Sequence, residues 1–207
     1  SRAAACLHRI VPADFGGVIQ CDGYEGYDCF ARNHEQTIEL AGCMAHVRRK
    51  FYEAAEREPK VAGWILQQIR NLYAIESELR STRAGPRLRQ AQRASASRVI
   101  LARLHRALVR LQVRRRYLPQ SQMGKAISYT LGQWASLQLF AEDGRLEIDN
   151  NLVENAIRPT AVGKKNWLFI GDAAAGERSA IIYTVIESCR RHGIDPFTYL
   201  RDLFSRL

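Results

Sequence analysis

Apolar side chains recur at a spacing of three and four residues through more than a third of this chain, a pattern typical of amphipathic helices. Four stretches show it, over residues 46–57, 61–81, 95–117 and 124–141. Gly85 and Pro86 separate the second stretch from the third, and Pro119 separates the third from the fourth, because neither residue type continues a helix well. The flanking sequence has a different pattern, so we interpret residues 44–147 as a helical insertion within another fold.

The segment before the insertion shows strand and helix patterns in alternation. A short apolar run at residues 15–21 predicts a buried strand that ends at Asp22. Residues 24–33 predict a short helix, and the alternating character of residues 36–42 predicts a second strand. The order strand, helix, strand favours an α/β sheet with parallel neighbours. We therefore expect an α/β fold that is mostly helical.

The segment after the insertion begins with a predicted helix. Asp149 or Asn150 is suited to cap it, and it is expected to run from Asn151 to a stop at Pro159. The apolar run at residues 167–171 predicts a strand. Two more helices are predicted, over residues 177–192 with Gly193 closing the helix and over residues 196–207 with Asp195 as cap. Core positions expected in this segment are Trp167, Phe169, Ile181, Ile182, Val185 and Ile186.

Composition excludes several classes of protein. Hydrophobic residues make up 46% of the 207 residues, which is enough to bury a substantial core and argues against a disordered or collagen-like chain. No apolar stretch is long enough to span a bilayer, so we expect no membrane partner. The five cysteines are scattered and odd in number, which suits reduced thiols in a cytoplasmic protein. The formal net charge of +10 points to a polyanionic partner.

The positive charge is concentrated in one part of the sequence. No Asp or Glu occurs between Leu79 and Ala141, while arginines crowd residues 80–116. On a helix, four of these arginines share one stripe opposite an apolar side. The stripe consists of Arg103, Arg106, Arg110 and Arg114, and the apolar side consists of Ile100, Leu101, Leu104, Leu108 and Leu111. We favour a surface for the DNA backbone over a merely soluble helix face, because no acidic neighbour neutralises the stripe.

Two acidic residues lie in settings that suit a metal site for phosphoryl transfer. Asp22 closes the first strand, and ligands gather beyond the carboxyl ends of strands in open α/β sheets. Glu154 lies one turn into the first helix after the insertion. Brought together, the two carboxylates would be hard oxygen ligands for a divalent cation. Each also has an ordinary interpretation, since Asp22 is placed to cap the next helix and a Glu in a first helical turn is common.

Longer motifs connect these residues to a known family. The string Asp149-Asn-Asn-Leu-Val-Glu-Asn-Ala-Ile-Arg-Pro-Thr-Ala-Val-Gly-Lys-Lys-Asn-Trp-Leu-Phe-Ile-Gly171 resembles the C-terminal signature of the insertion sequence 66 family of bacterial transposases. Further motifs follow in the family's order: Cys21-Asp-Gly-Tyr-Glu-Gly-Tyr27, Gly42-Cys-Met-Ala-His-Val-Arg-Arg-Lys-Phe51, Leu118-Pro-Gln-Ser121, Gly124-Lys-Ala-Ile127 and Gly176-Glu-Arg-Ser-Ala-Ile-Ile-Tyr183. The resemblance covers essentially the whole chain and is weakest over residues 82–116.

The resemblance implies a partial ribonuclease H-like core of the Asp-Asp-Glu type, interrupted by the helical insertion. On that template Asp22 matches the second acidic residue and Glu154 the third, and residues 1–43 and 148–207 are the parts of the core. The first Asp belongs on an upstream strand, so we interpret the chain as a C-terminal portion or a relic of a transposase and expect it to be inactive alone. Mg²⁺ or Mn²⁺ is the cofactor that the intact triad implies.

Other cations are candidates for contacts with DNA. Three follow the second strand, namely Arg48, Arg49 and Lys50, and three follow Glu154, namely Arg158, Lys164 and Lys165. An ordinary solvated helix face is the other interpretation of such charges. Cys43 and His46 form a Cys-x-x-His pair where the second strand meets a helix, but two ligands are too few for a structural zinc site.

The leading hypothesis is a DNA transposase fragment for metal-dependent strand cleavage and transfer. Its expected partners are transposon ends, target DNA, further copies of itself and accessory transposition proteins. An alternative is a non-catalytic DNA-binding or regulatory remnant that uses the basic insertion alone. A third is a helical protein-interaction module whose arginine stripe meets an acidic partner. The first requires Asp22 and Glu154 to be close enough to share ions, and the others do not.

Overall fold

The chain is mostly helical, with one small sheet in the part that the computed structural model describes, residues 4–206. It divides into two compact units, the first ending at Asn150 and the second beginning at Asn151. None of the helices within residues 4–206 combines the length and the apolar character needed to cross a bilayer. None of the five cysteines, all of which lie within residues 4–206, forms a disulfide.

The first unit opens with the alternating elements that the sequence predicts. They are a 3-10 helix at Ala4–Arg9, strand β1 at Gly17–Gln20, helix α1 at Glu25–Arg32 and strand β2 at Ile38–Ala41. The two strands are parallel, with Gly17 opposite Ile38 and Gln20 opposite Ala41. The predicted order and orientation are therefore confirmed. Within residues 4–206 the sheet has only these two strands, so the ribonuclease H-like core stays an expectation.

Helices make up the rest of the first unit. They are α2 (Met44–Ala54), α3 (Pro59–Ser81), α4 (Pro86–Gln92), α5 (Arg98–Val113), α6 (Gln122–Gly132) and α7 (Trp134–Gln138), with a π-helical turn at Arg93–Ser97 and a 3-10 turn at Leu139–Ala141. The helical pattern is confirmed with two differences. Pro86 begins an additional helix, a position that tolerates proline because no hydrogen bond is lost there. The single helix predicted over residues 124–141 is interrupted after Gly132, a residue with low helix propensity.

The core of the first unit lies where α2, α3, α5 and α6 meet. Side chains that are completely or almost completely buried there include Phe51, Ile65, Leu72, Leu104 and Ile127. The helical periodicity of the sequence thus identifies the packed faces of these helices correctly.

The second unit consists of α8 (Asn151–Trp167), α9 (Ala173–Arg191) and α10 (Pro196–Ser205). Asp195 caps α10 by accepting the backbone N–H of Thr198 at 2.8 Å, and Gly193 has φ +68°, which a residue with a side chain rarely adopts. Both features agree with the sequence prediction. Asp172, which was not predicted as a cap, accepts the backbone N–H of Ala175 at 2.6 Å and starts α9.

Two predictions for the second unit are wrong. Pro159 does not end α8, and residues 167–171 do not form a strand because the helix continues to Trp167. Half-buried positions recur at helical spacing on both sides of the proline, so the packed face continues across it; they are Ala156, Pro159, Thr160 and Gly163. After the helix, Leu168 has φ +62°, which is not a strand conformation.

The burial predicted for this unit is also largely wrong. Phe169 is 85% exposed, Ile181 65% and Ile182 50%, while Val185 and Ile186 are half-buried. Trp167 stacks on Tyr183 with ring centroids 6.4 Å apart and is 39% exposed. Three helices alone leave part of the apolar surface that they carry uncovered.

Candidate functional site

Asp22 lies beyond the carboxyl end of β1, in the short loop before α1. Its Oδ1 accepts the backbone N–H of Tyr24 at 3.0 Å, and its carbonyl accepts a hydrogen bond from Tyr129 Oη at 2.9 Å. Gly23 has φ +77°, and a Cβ there would lie only 3.2 Å from Tyr129 Oη. The N-cap of α1 is Tyr24, so the interpretation of Asp22 as a helix cap is wrong. Asp22 instead closes a tight turn that fixes its own backbone.

The chain that returns from the helical insertion passes the same end of the sheet. We call residues 142–150 the return segment. Gln20, the last residue of β1, donates its side-chain amide to the carbonyl of Glu147 at 2.7 Å. The backbone N–H of Met44, the first residue of α2, donates to the carbonyl of Ile148 at 3.0 Å. These bonds tie the return segment to the end of β1, two residues before Asp22, and to the start of α2.

Two further contacts hold the last residues of the return segment. Tyr73 Oη donates to Asp149 Oδ2 at 2.6 Å, and burial together with this carboxylate raises the pKa of Tyr73. The hydroxyl therefore remains a donor near neutral pH. The backbone N–H of Asn150 reaches the Cys43 thiol. The chain is thus held in place up to the last residue of the first unit.

The predicted Cys-x-x-His pair lies at the start of α2, as expected. Cys43 is buried, and burial raises the pKa of its thiol. A hydrogen bond from the backbone N–H of Asn150 lowers this pKa by a smaller amount. His46 lies in the first turn of the helix and is half-buried. Burial and hydrogen bonds from the backbone hold the Cys43 side chain in place.

Glu154 lies in the first turn of α8, and its side chain is exposed. A negative charge is favourable at this position because the helix dipole presents its positive end there. The structure assigns Glu154 to the second unit and Asp22 to the first. Along the chain, Glu154 follows Asn150, the anchored end of the first unit, by four residues.

The three predicted cations on α2 have different surroundings. Arg48 is exposed. Arg49 is also exposed and lies 3.5 Å from Glu53 Oε1, so its charge is partly neutralised. The Lys50 ammonium lies 4.4 Å from the centre of the Tyr129 ring, the residue whose hydroxyl holds the carbonyl of Asp22. Of the three, Lys50 is tied by its contacts to the Asp22 turn.

The arginine stripe on α5 has the geometry that the sequence predicts. Its four arginines are exposed, and the opposite face buries Leu101, Leu104 and Leu108. Among residues 4–206, no carboxylate forms an ion pair with the stripe. On α8, Arg158, Lys164 and Lys165 are exposed as well.

A buried charge network was missed by the sequence analysis. Arg93, in the π-helical turn, is completely buried and donates to both carboxylate oxygens of Glu76 on α3, at 2.8 and 2.7 Å. Its remaining terminal nitrogen donates to the carbonyls of Phe140, Asp143 and Leu146 at 2.7, 3.1 and 2.9 Å. A bidentate pair of this kind is both strong and directional.

Arg89 extends this network to the side chain of the return segment. It donates to Glu147 Oε1 at 2.7 Å and lies 3.4 Å from Glu76 Oε2, while Arg80 lies 3.3 Å from Glu147 Oε2. A signal for the network is present in the sequence. Glu76 occupies an apolar position of α3, four residues after Leu72 and three before Leu79, and a carboxylate at such a position requires a cation.

Comparison with known families identifies the class of protein. Residues 1–178 match the model of the transposase IS66 family, and residues 184–207 match that of the IS66 C-terminal element. Together the two matches cover nearly all of the chain, which places it among the transposases. The chain belongs to the IS66 family.

Similar proteins occur in Sinorhizobium fredii (strain NBRC 101917 / NGR234). Uncharacterized protein y4jD is 35% identical over all of this chain and 40% of its own length. Uncharacterized protein y4qI is 33% identical over all of this chain and 38% of its own length. Uncharacterized protein y4hP is 33% identical over 94% of this chain and 37% of its own length. This chain therefore spans about two fifths of these relatives. No solved structure matches it significantly.

Proposed function

We propose that this chain is part of a DNA transposase and that Asp22 and Glu154 are two carboxylates of its metal-dependent active site. In this proposal, residues 1–43 and 148–207 contribute to a ribonuclease H-like core, and residues 44–147 are a helical insertion. The reaction is cleavage of DNA at the ends of an insertion sequence and transfer of the strands to target DNA. A transposase works on cellular DNA, so we propose a cytoplasmic location.

The observation that carries the proposal is the anchoring of the return segment. Gln20 lies two residues before Asp22, and its side chain holds the carbonyl of Glu147 at 2.7 Å. The same segment ends at Asn150, beside Cys43, and Glu154 follows four residues later. Along the chain, Glu154 therefore follows by a few residues a segment that is held at the end of the sheet after which Asp22 lies. This favours a shared site over two unrelated carboxylates.

The surroundings of Asp22 fit a hard divalent cation. The side chain is half-buried at the end of a strand, and within residues 4–206 only its Oδ1 accepts a hydrogen bond. Carboxylate oxygens are the ligands that Mg²⁺ and Mn²⁺ prefer, so Asp22 and Glu154 would hold the ion. When bound, such an ion activates the attacking hydroxyl and stabilises the leaving oxygen. Tyr129 and Gly23 fix the backbone of Asp22, and Lys50 provides positive charge for the DNA phosphates nearby.

Iron-mediated cleavage tests whether the two carboxylates share an ion. Fe²⁺ with ascorbate and peroxide cuts a backbone close to the bound iron. We expect cuts near both residue 22 and residue 154, suppressed by excess Mn²⁺ and lost at both places in Asp22→Asn and in Glu154→Gln. Asp28→Asn, which removes a half-buried carboxylate of α1, is the matched control and should leave both cuts. A cut near only one of the two carboxylates would contradict the proposal that they share an ion.

With two of three acids present, we expect the chain alone not to cleave DNA. The test is a strand-transfer assay with Mg²⁺ and DNA that carries the ends of the element. Robust activity that disappears in Glu154→Gln would contradict this expectation.

A non-catalytic DNA-binding or regulatory remnant is the second candidate, and the exposed arginine stripe on α5 favours it. In that case DNA binding would depend on the stripe and be unaffected by Asp22→Asn, and the iron-mediated cuts would be absent. Under either candidate the partner is DNA. Self-association on DNA and accessory transposition proteins belong to the first candidate only.

A further inference from the structure

Two of the family motifs have no part in the proposed active site. They are Leu118-Pro-Gln-Ser121 and Gly124-Lys-Ala-Ile127. Leu118 and Pro119 of the first motif and Gly124 and Ile127 of the second line a groove of about 480 Å³ in the first unit, between the end of α5 and the start of α6. The volume lies within the range of about 300–1,000 Å³ that is usual for ligand pockets. Its apolar lining comes from Leu111, Tyr117, Leu118 and Ile127.

The backbone of Leu118 is fixed while its side chain is presented to solvent. Its carbonyl accepts the backbone N–H of Ser121 at 3.0 Å and the Ser121 hydroxyl at 2.7 Å. A Cβ at Gly124 would collide with the same carbonyl, so glycine permits this close approach. The Leu118 side chain is 78% exposed. An apolar group held in this way loses little conformational freedom when a partner covers it.

The charge around the groove is positive. Arg114, Arg115 and Arg116 follow α5 in sequence and are all exposed, and Arg115 also lines the groove. One carboxylate contacts the lining, since Glu58 accepts a hydrogen bond from Tyr117 Oη at 3.3 Å. The groove therefore combines an apolar floor with a cationic rim, and this favours a ligand that is both apolar and acidic.

The groove fits a protein segment better than a nucleic acid. Single-stranded nucleic acids bind by stacking their bases on aromatic rings. The one aromatic residue in the lining is Tyr117, whose ring already faces the Arg116 guanidinium at 5.9 Å and whose hydroxyl is paired with a carboxylate. The remaining apolar lining is aliphatic and suits side chains such as Leu or Phe. We propose that the groove binds an acidic segment of a partner protein that inserts two or three apolar side chains.

Selection from a random peptide library tests this proposal on the full chain. Peptides displayed on phage are selected on the immobilised wild-type protein and counter-selected on the support without protein. We expect the enriched sequences to combine Asp or Glu with Leu, Ile or Phe. A labelled peptide of the enriched sequence, measured by fluorescence anisotropy, should bind at least about ten-fold more weakly to Leu118→Ser and to Arg116→Glu. The control is Val99→Ser, because Val99 lies on α5 outside the groove and is 54% exposed. This variant should bind the peptide with an affinity within about two-fold of the wild-type value.

Several outcomes would overturn the proposal. Enriched peptides without acidic residues, or equal binding to Leu118→Ser, would show that the groove does not select this chemistry. Loss of affinity for a single-stranded oligonucleotide in Leu118→Ser would assign the groove to nucleic acid. Self-association that disappears in the same variant would assign it to a second copy. Because Leu118 is exposed, an unchanged melting temperature of Leu118→Ser separates these results from unfolding. The test does not involve Asp22 or Glu154, so its result is independent of the proposed active site.

Discussion

Arg93 of the π-helical turn and the arginines of α5 come from the same acid-free part of the sequence but differ completely in their surroundings. Arg93 is completely buried, bonded to Glu76 and to three carbonyls. Arg103 and Arg110, about three and about five helical turns further on, are exposed and have no carboxylate partner within residues 4–206. One group stabilises the fold, and the other remains available to a partner.

This difference shows that an excess of arginines in one part of the sequence does not by itself identify a binding surface. The carboxylates that neutralise Arg89 and Arg93 lie outside the acid-free interval, on α3 and in the return segment. Tertiary structure brings them together, so only the remaining arginines contribute to the positive surface. Four predictions test the contrast between buried and exposed charges.

The largest effect is expected for Arg93→Ala. Removing the guanidinium leaves the Glu76 carboxylate buried without its main partner and three carbonyls without a donor. The free energy of unfolding, measured by urea denaturation, should fall by about 3–5 kcal/mol. Arg103→Ala, the exposed control, should change it by less than about 0.5 kcal/mol. Similar values for the two variants would refute the distinction between the two groups.

The second effect concerns DNA. Arg103→Glu combined with Arg110→Glu should weaken binding to duplex DNA by about ten-fold or more at low salt. The slope of log K against log salt should become shallower by about 1.8, because each phosphate contact contributes about 0.9. Fluorescence anisotropy over a salt series provides both quantities. Arg57→Glu combined with Arg70→Glu, at two exposed positions outside the stripe, is the charge-matched control, and an equal loss in this variant would show that only net charge matters.

A smaller effect is expected for Tyr73→Phe, which removes the 2.6 Å hydrogen bond to Asp149 in the return segment. Hydrogen bonds to charged groups contribute about 1.5–3 kcal/mol, so the free energy of unfolding should fall by an amount in that range. Tyr52→Phe is the control because Tyr52 is 69% exposed. Equal stability of the two variants would mean that Tyr73 does not hold the return segment.

The smallest effect is expected for Arg49→Ala. Arg49 and Glu53 form an ion pair on the surface of α2, with side chains that are 78% and 56% exposed. Such pairs at this spacing contribute about 0.2–0.5 kcal/mol and are screened by salt. Chemical denaturation at low and at high salt should reveal a small loss that disappears at high salt. A loss of unfolding free energy as large as that of Arg93→Ala would contradict the distinction between buried and exposed arginines.

Much of the fold of the first unit could be predicted because local patterns determine it. The apolar periodicity of residues 61–81 gives α3, and the apolar run before Asp22 gives β1. The second unit was less predictable. The apolar run at residues 167–171 is compatible with a strand, but without a neighbouring strand to pair with it remains an irregular segment after α8. Short apolar runs do not distinguish these outcomes without their tertiary partners.

The candidate site could be predicted only in part. The positions of Asp22 after a strand and of Glu154 in a first helical turn follow from local sequence, and the structure has both. The contacts that fix the surroundings of Asp22 are nonlocal, since Tyr129 is 107 residues away from it in sequence and Glu147 is 127 residues away from Gln20. No local pattern encodes pairs at such separations.

The anchoring of the return segment limits which parts this chain could exchange with a relative. The side chains of Glu76, Arg89 and Arg93 are fitted to the backbone carbonyls and the Glu147 carboxylate of the segment that leads to α8. A hybrid that takes residues 44–141 from one relative and the following residues from another would combine partners that were not selected together. Successful recombinants should therefore carry both pieces from the same parent.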